Sequence, residues 1–329
     1  MRNAIIHSMG AYAPEKVVPN SFFDHLLNEN VGEWLTHNVQ IYERRWCTDN
    51  QSVADLAAEA IKNALYDGKV DPLEVDLLIV ATDTPEYVSP STASKVQHML
   101  GLKNAGTFDL NTACAGFVTA LDTGSKYIRS DENYNTVLVV GAYAMSKYLN
   151  MADKKTVTLF ADGAGAVVLK ASEEAGRGFL ASQLITKGEY YSHMGIYGGA
   201  TNLPCSHKVI DEKGHLLKFV NRFPKELNPE IWSSMANTLA LRIGVKPSDV
   251  SHYFLTQINI NSIRETMDRL NVAYDKAPTI MHKFGYTGSA CIPMALSQVY
   301  KSGKLKKDDL IFFIGSGGGL AFASAAFRY

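Results

Sequence analysis

Cys114 is the first candidate for chemistry in this sequence, because it lies where a short strand passes through a turn of small residues into a helix. The segment, residues 107–117, reads TFDLNTACAGF. A thiol in the first turn of a helix faces unpaired N–H groups and the positive end of the helix dipole, and both favour the thiolate. The flanking alanines and Gly116 leave room for a substrate to approach. The pattern indicates a nucleophile, and the alternative is a small cysteine packed between helix and sheet.

The other ligand-type side chains show no metal-binding pattern. No two histidines and carboxylates stand at metal-ligand spacing. The four cysteines, Cys47, Cys114, Cys205 and Cys291, are scattered without a C-x-x-C pair. This usage is typical of a reducing compartment, where a thiol is either core filler or a nucleophile. We therefore expect no metal site.

Composition and charge exclude several classes of protein. The 329 residues contain 32 Lys and Arg against 33 Asp and Glu, so a nucleic-acid binder, which needs a basic excess, is not expected. The amino terminus lacks the apolar segment of a secretion signal. The most apolar tract, residues 311–327, is interrupted by glycines and predicts two buried strands with a turn instead of a membrane span. We expect a cytoplasmic protein without membrane insertion.

Short apolar runs alternate with amphipathic helical stretches along most of the chain. Residues 77–80, 137–140 and 166–169 are too continuously apolar for half-exposed strands and are typical of strands covered by helices on both faces. Ser52 can cap a helix whose apolar residues fall on one stripe. The alternation predicts an α/β protein with mainly parallel or mixed sheets.

An internal repeat indicates that the chain is duplicated. Residues 70–75 and 245–250 share Val, Pro, an acid and Val at an offset of 175 residues. Each copy leads into a buried strand, a helix and a later apolar strand that reaches a glycine: 77–80, 91–100 and 137–141 in the first copy, and 253–255, 262–270 and 310–315 in the second. We predict one half at residues 1–172, carrying Cys114, and a connection with a second half at 173–329. Residues 173–229 fit the repeat poorly and predict a connection plus a surface excursion.

The segment around Cys114 resembles the nucleophile segment of the β-ketoacyl-ACP synthase III family, which has the thiolase fold. Further stretches resemble that family in the right order across nearly the whole chain: 33–35 (EWL), 41–45 (IYERR), 90–93 (PSTA), 99–101 (MLG), 159–166 (LFADGAGA) and 317–320 (GGGL). The resemblance implies duplicated βαβαβαββ halves in a five-layered αβαβα subunit, and a homodimer.

The resemblance also implies a reaction and roles for particular residues. Cys114 would take an acyl group from acyl-CoA as a thioester, which a carbanion from malonyl-ACP then attacks. The backbone N–H groups of Cys114 and Gly318 would stabilise the oxyanion, although the glycines around Gly318 could simply form a tight turn. Trp34 matches the family tryptophan that stacks on the CoA adenine, and Asn259 is retained in the second-half substrate tract. CoA enters as a thioester substrate, and no cofactor is implied.

Two positions depart from the family pattern. The tract that normally reads His-Gln-Ala-Asn is TQIN at 256–259, so Thr256 stands at the position of the family histidine. The tract that normally reads Gly-Asn-Thr-Ser begins Gly285-Tyr286, so Tyr286 replaces the family asparagine. Neither hydroxyl is a base near neutral pH. We therefore expect acylation of Cys114 to be ready and decarboxylation of a malonyl thioester to be slow.

Several alternatives stay open at this point. His282, or Glu86 in the loop 85–90 that would meet a dimer partner, could supply a base. Arg264 and Arg269, with Lys218, Arg222 and Lys225, could form a basic surface for an acyl carrier protein or a solvated face. The leading interpretation is a self-acylating 3-oxoacyl-ACP synthase III-like acyltransferase in fatty-acid or polyketide-like biosynthesis. The alternatives are a non-decarboxylating acyltransferase of specialised metabolism and a silent subunit that supports an active paralogue.

Overall fold

Two β-sheets form the framework of the computed structural model, which describes residues 2–329. The strands are β1 Asn3–Tyr12, β2 Val17–Pro19, β3 Glu43–Arg45, β4 Leu77–Ala81, β5 Gly106–Leu110, β6 Thr136–Ala144, β7 Asp162–Ser172, β8 Gly178–Thr186, β9 Met194–Gly195, β10 Lys218–Phe219, β11 His252–Leu255, β12 Leu310–Gly317 and β13 Ala321–Arg328. The α-helices are α1 Asn20–Leu27, α2 Gly32–Trp34, α3 Val53–Gly68, α4 Thr92–Leu100, α5 Gly116–Ser130, α6 Lys154–Val157, α7 His207–Asp211, α8 Leu227–Ile243, α9 Ile260–Leu270, α10 Met281–Phe284 and α11 Cys291–Lys301.

The two sheets repeat one strand order. The first sheet runs β1-β7-β6-β4-β5, and the second, read from its β8 edge, runs β8-β13-β12-β11. In each sheet two antiparallel pairs are followed by a parallel pair, which is β6 with β4 in the first and β12 with β11 in the second. The first sheet has one further parallel strand, β5. This shared order agrees with the internal repeat, while the boundary at residue 172 stays a prediction.

Helices cover both sheets and fill the space between them. Helices α5 and α11 lie between the two sheets, α3 and α4 cover the outer face of the first, and α8 packs with α9 on the outer face of the second. The result is the five-layered α/β arrangement of a thiolase-like fold. Strands β4 and β6 are buried along their whole length, because helices lie on both of their faces.

Local sequence explains where several elements begin and end. Helix α3 begins after Ser52, whose backbone N–H donates to the Asp55 carboxylate at 2.8 Å. The apolar tract at 311–327 forms β12, a glycine turn and β13, as expected. Within residues 2–329 no helix is long and apolar enough to cross a bilayer.

The segment 173–229 is more than the predicted surface excursion. Its first part is β8, which pairs with β13 and completes the second sheet. Its middle part brings Met194 and Leu217 to the cavity described below, where β9 pairs with β10. The polar, glycine-rich composition concealed both roles, because it is also typical of loops.

Candidate active site

The turn that carries Cys114 is confined by close packing from both halves. The chain leaves β5, passes through a 3₁₀ turn at Ala113–Ala115 and enters α5. Ala113 has a φ of 47°, and the Asn111 side chain accepts a hydrogen bond from its N–H at 2.9 Å. A Cβ atom on Gly317 would lie 2.5 Å from the backbone nitrogen of Cys114. The predicted strand–turn–helix setting of the thiol is therefore present. The glycine-rich turn of the second half packs closely against the backbone at Cys114.

Cys114 faces a cavity of about 240 Å³. The cavity wall combines residues from both halves and from the connection between them: Asp83, Asn111, Ala113, Cys114, Tyr143, Met145, Tyr191, Met194, Gly195, Ile196, Tyr197, Leu217, Gly318 and Gly319. Cys114 and Gly318 were both predicted as site residues from the sequence, and both line this cavity.

The other cysteines lie in different environments. Cys47 and Cys291 are buried, and burial raises the pKa of each thiol, to about 12 for Cys291. Cys205 lies on the surface. Among the cysteines of the described chain, Cys114 is the one on the cavity wall.

The protonation state of Cys114 differs from the expectation based on its position in the helix. Burial raises the pKa of the Cys114 thiol well above its ordinary value, and the charge of Asp83 raises it further. A hydrogen bond with Tyr286 lowers it and only partly offsets the increase. Because Cys114 is only 3% exposed, desolvation of the thiolate outweighs the helix terminus. The thiol must lose its proton as it attacks.

Tyr286 lies against the nucleophile. Its ring packs on Phe160 at 5.4 Å between centroids and is 1% exposed. Burial raises the pKa of Tyr286 well above its ordinary value, so the phenol keeps its proton and can donate to the Cys114 sulfur. The residue at the family asparagine position is therefore close enough to the thiol to shift its pKa.

The Thr256 hydroxyl is hydrogen-bonded to the backbone of β12. It accepts a hydrogen bond from the backbone N–H of Ser316 at 2.9 Å and donates to the carbonyl of the same residue at 3.5 Å. The next residue, Gln257, is also fully engaged, with its carbonyl oxygen accepting from Ile280 N–H at 2.7 Å and its amide donating to Pro278 at 3.1 Å. Neither side chain belongs to the cavity wall as residues 2–329 define it.

Trp34 and Asn259 are not among the described residues that form the cavity wall. The Trp34 ring is 53% exposed at the end of α2. Asn259 caps α9, where its side-chain oxygen accepts from Asn261 N–H at 3.0 Å. The Asn261 side chain in turn donates to the carbonyl of Asn38 at 3.2 Å, which links the segment after Trp34 to α9.

The candidate bases Glu86 and His282 are engaged elsewhere. Glu86 forms an ion pair with Lys95 at 2.5 Å and accepts from Ala54 N–H at 3.2 Å. His282 packs edge-on to Tyr42, and burial lowers the pKa of its imidazole. Neither side chain belongs to the wall that the described residues form around Cys114.

Asp83 is the residue that the sequence reasoning missed. It follows β4 by two residues, beside the parallel strand β5 that leads to Cys114. Its Oδ1 atom is buried and has no hydrogen-bond partner within residues 2–329. Burial raises the pKa of Asp83 from its ordinary value to about 6. The available signal was an acid at the carboxyl end of a buried strand, next to the strand that carries the thiol.

Sequence profiles of 3-oxoacyl-[acyl-carrier-protein (ACP)] synthase III match residues 108–188, and those of its C-terminal part match residues 240–329. The beta-ketoacyl-[acyl-carrier-protein] synthase III of Caldanaerobacter subterraneus subsp. tengcongensis is 33% identical over 320 residues, which cover 97% of this chain and 96% of the relative. The chain belongs to the 3-oxoacyl-ACP synthase III family. The Staphylococcus haemolyticus synthase III is likewise 33% identical, with 99% of each chain covered.

Solved structures agree with this membership in the synthase III family. The 3-oxoacyl-[acyl-carrier-protein] synthase III of Aquifex aeolicus superposes with a TM-score of 0.89 at 31% identity, covering 99% of this chain and all of that one. The priming β-ketosynthase of the R1128 polyketide pathway superposes with a TM-score of 0.87 at 26% identity, covering 99% of this chain and 96% of that one. Xanthomonas campestris OleA, at 19% identity and a TM-score of 0.82, covers 99% of this chain and 98% of its own, and shares the fold.

Across residues 2–329 no group of three or more His, Cys, Asp and Glu side chains is placed to hold a metal ion. The groups that influence one another around the thiol are Cys114, Asp83, Tyr143 and Tyr286.

Proposed function

We propose that this member of the synthase III family is a self-acylating acyltransferase, in which Cys114 takes an acyl group from acyl-CoA and passes it to a second substrate. The observation that carries the proposal is that Cys114 and Gly318 line the same cavity. A thiol and a glycine turn in one cavity are what thioester exchange requires.

In the acylation step the Cys114 sulfur attacks the thioester carbonyl of acyl-CoA. The bond between the carbonyl carbon and the CoA sulfur breaks, the acyl group becomes a thioester of Cys114, and CoA leaves as a thiol. The backbone N–H groups of Cys114 and Gly318 would donate to the oxyanion that forms on the way. A donor of this kind typically contributes about 10²–10³-fold to the rate.

Neighbouring surfaces support the substrates and partners that we propose. The exposed Trp34 ring offers a face for the adenine of CoA. Arg264 on α9 is exposed, with its guanidinium 5.5 Å from the centre of the Tyr274 ring, and would face an acidic carrier protein. Tyr87 and Val88 expose apolar surface on the loop 85–90, at 49% and 88%, in support of a homodimer contact.

Self-acylation is tested by intact mass after incubation with acetyl-CoA and longer acyl-CoA thioesters. We expect one acyl group per chain in the wild type and in Cys205→Ala, which removes an exposed thiol. Cys114→Ala should carry none. An adduct that persists in Cys114→Ala, or a wild type that carries none at any chain length, would contradict the proposal. The second outcome would favour a silent subunit that supports an active paralogue.

Transfer without decarboxylation is a second candidate for the later step, and the hydrogen bonds of Thr256 favour it. A malonyl thioester needs donors for the enolate that forms as CO₂ leaves, and the Thr256 hydroxyl is bound to Ser316. We expect slow release of CO₂ from malonyl-ACP by the acylated protein. The double substitution Thr256→His with Tyr286→Asn should raise that release, measured with ¹⁴C-labelled malonyl-ACP, and the wild type should stay slower than an ordinary family member.

A further inference from the structure

The backbone at Asp83 is held beside the cavity by its two neighbours. The Thr84 hydroxyl accepts from Ala144 N–H at 2.9 Å, and the Thr82 hydroxyl accepts from Thr84 N–H at 3.1 Å. Both threonines are buried. The backbone on either side of Asp83 is therefore fixed, and Asp83 lies on the cavity wall that also carries Cys114.

The charge of the Asp83 carboxylate is offset only in part, by a backbone hydrogen bond that lowers its pKa. Its Oδ1 atom is buried without a hydrogen bond in the part of the chain that the structure describes, and burying a carboxylate in this way is costly. The groups that feel its charge are the Cys114 thiol and the phenols of Tyr143 and Tyr148, and Glu86 adds to the field at Tyr148. None of these groups is a cation. Among the described residues of the wall there is no Lys, Arg or His.

The electrostatics of the cavity bear on the second substrate. A malonyl group brings a carboxylate, and its decarboxylation leaves an enolate, so both states are anions. An anionic wall without a cation repels both. A neutral or cationic molecule meets no such repulsion, and a hydroxyl or ammonium group would give the Asp83 oxygen the partner it lacks.

We propose that Asp83 is the general base of the transfer step and that the acyl acceptor carries a hydroxyl or amine at its reacting end. The proposal rests on the self-acylation of Cys114 proposed above. It assigns the reaction to the transfer of an acyl group to oxygen or nitrogen, with Asp83 in place of the missing family histidine.

The proposed step is balanced in atoms and charge. The acceptor oxygen or nitrogen attacks the carbonyl carbon of acyl-Cys114, while the Asp83 carboxylate takes the proton of that O–H or N–H group. The bond between the carbonyl carbon and the Cys114 sulfur then breaks, giving the ester or amide. Protonated Asp83 returns its proton to the sulfur, so the thiol and the carboxylate are both restored.

The acid strength of Asp83 suits this role. Its pKa of about 6 leaves the carboxylate ionised at neutral pH while making it a stronger base than an ordinary aspartate. An O–H or N–H proton becomes acidic only as the new bond to carbon forms, so a base of this strength is sufficient. A C–H proton must be removed before attack and calls for stronger activation.

The test uses the full-length protein acylated beforehand with acetyl-CoA and freed of excess CoA. Loss of the acyl group from Cys114 to water and to 2-aminoethanol is followed by intact mass between pH 5 and pH 8. We expect 2-aminoethanol to accelerate the loss and the rate to fall as the pH drops through about 6, where Asp83 takes up its proton. Malonyl-CoA should not accelerate it.

Asp83→Asn should slow transfer by about 10²–10⁴-fold and remove the inflection near pH 6, because the amide cannot accept the proton. Asp83→Glu should restore part of the rate together with the inflection. Glu86→Gln is the matched control, since it also turns a carboxylate into an amide in the connection between β4 and α4, at an acid bound to Lys95. It should keep the wild-type pH profile.

Three outcomes would overturn the proposal. The first is transfer by Asp83→Asn at the wild-type rate, and the second is a rate of acyl loss that 2-aminoethanol does not change at any pH. The third is faster acyl loss with malonyl-CoA than with 2-aminoethanol. A wild type that never becomes acylated would instead contradict self-acylation, so the two failures are distinguishable. Circular dichroism of each variant reports whether it is folded, and Asp83→Glu keeps the test decisive if Asp83→Asn is not.

Discussion

β4 and β11 occupy matching places in the two sheets, but the polar side chains that follow them differ in their hydrogen bonding. Past β11, the side chains of Thr256 and Gln257 are bound to the backbone through all of their polar atoms. Past β4, Asp83 keeps a buried carboxylate oxygen without a partner in residues 2–329. A polar side chain that is fully bound stabilises the framework, whereas one left unbound at a cavity lowers stability and is available to a ligand.

The largest effect on acylation is expected at Gly317, which packs closely against the turn that contains Cys114. Gly317→Ala places a Cβ atom 2.5 Å from both the Cys114 nitrogen and the Thr112 carbonyl oxygen. The turn must therefore move, together with the Cys114 N–H that we propose as an oxyanion donor. We expect acylation of Cys114 to fall by about 10²–10³-fold. Single-turnover mass measurements would show it.

Gly101→Ala is the control for that substitution, because no atom lies within 4 Å of the added Cβ. Its positive φ of 66° strains any side chain, so a loss of stability without a loss of acylation is expected there. Equal acylation by Gly317→Ala and the wild type would show that the turn is not confined as described.

Asp83→Asn should stabilise the folded protein at neutral pH. A carboxyl whose pKa is raised from 3.8 to about 6 favours folding when it is protonated and opposes folding as the pH rises through that interval. At about 1.4 kcal/mol per pKa unit, the ionised group costs about 3 kcal/mol at pH 7.5. Urea unfolding should show a gain of that order at pH 7.5 that disappears near pH 4.

Thr256→Val should change stability in the opposite direction. The substitution removes the acceptor of the buried Ser316 N–H, which costs about 1–3 kcal/mol. The rate of acyl transfer from Cys114 should change little, and Thr256→Ser should keep most of the stability. If Thr256→Val greatly slowed acyl transfer but left stability unchanged, Thr256 would act in the reaction and not in the framework, contrary to the comparison with Asp83.

Tyr286→Phe tests the residue that reaches from the second half to the thiol. Its hydroxyl lowers the pKa of Cys114, so its removal should raise that pKa further and slow acylation by about fivefold, the value of one ordinary hydrogen bond. The rate as a function of pH should move to higher pH. Phe160→Leu, which alters the packing around the ring without removing the hydroxyl, should leave the pH dependence in place.

Much of the fold and the position of the nucleophile could be predicted from sequence. The repeat at 70–75 and 245–250 corresponds to matching 3₁₀ turns before β4 and β11, because proline fixes the first residue of each turn. Cys114 stood out because small residues surround it in a strand–turn–helix pattern. These features depend on residues close together in the chain.

The rest depended on contacts across the chain. The replacements at Thr256 and Tyr286 were visible in sequence, but no local pattern shows that one is bound to Ser316 and the other lies against Cys114. Asp83 escaped notice for the same reason, since an acid after a strand is ordinary until its missing partner is seen. Glu86, three residues later, was the more conspicuous acid and is held by Lys95.

The connection between the halves has a consequence for how the protein can diversify. Tyr191, Tyr197 and Leu217 stand on the cavity wall, yet they belong to a stretch outside both large sheets. This stretch contains the short β9–β10 ribbon, and its Leu217 N–H donates to the carbonyl of Tyr148 at 2.8 Å. Substitution of the exposed Tyr191 would reshape the cavity with little effect on the packed layers, whereas Leu217 also belongs to the buried core. The shape of the cavity and the stability of the fold can therefore change through different residues, the first through the exposed part of this stretch and the second through the layers beneath it.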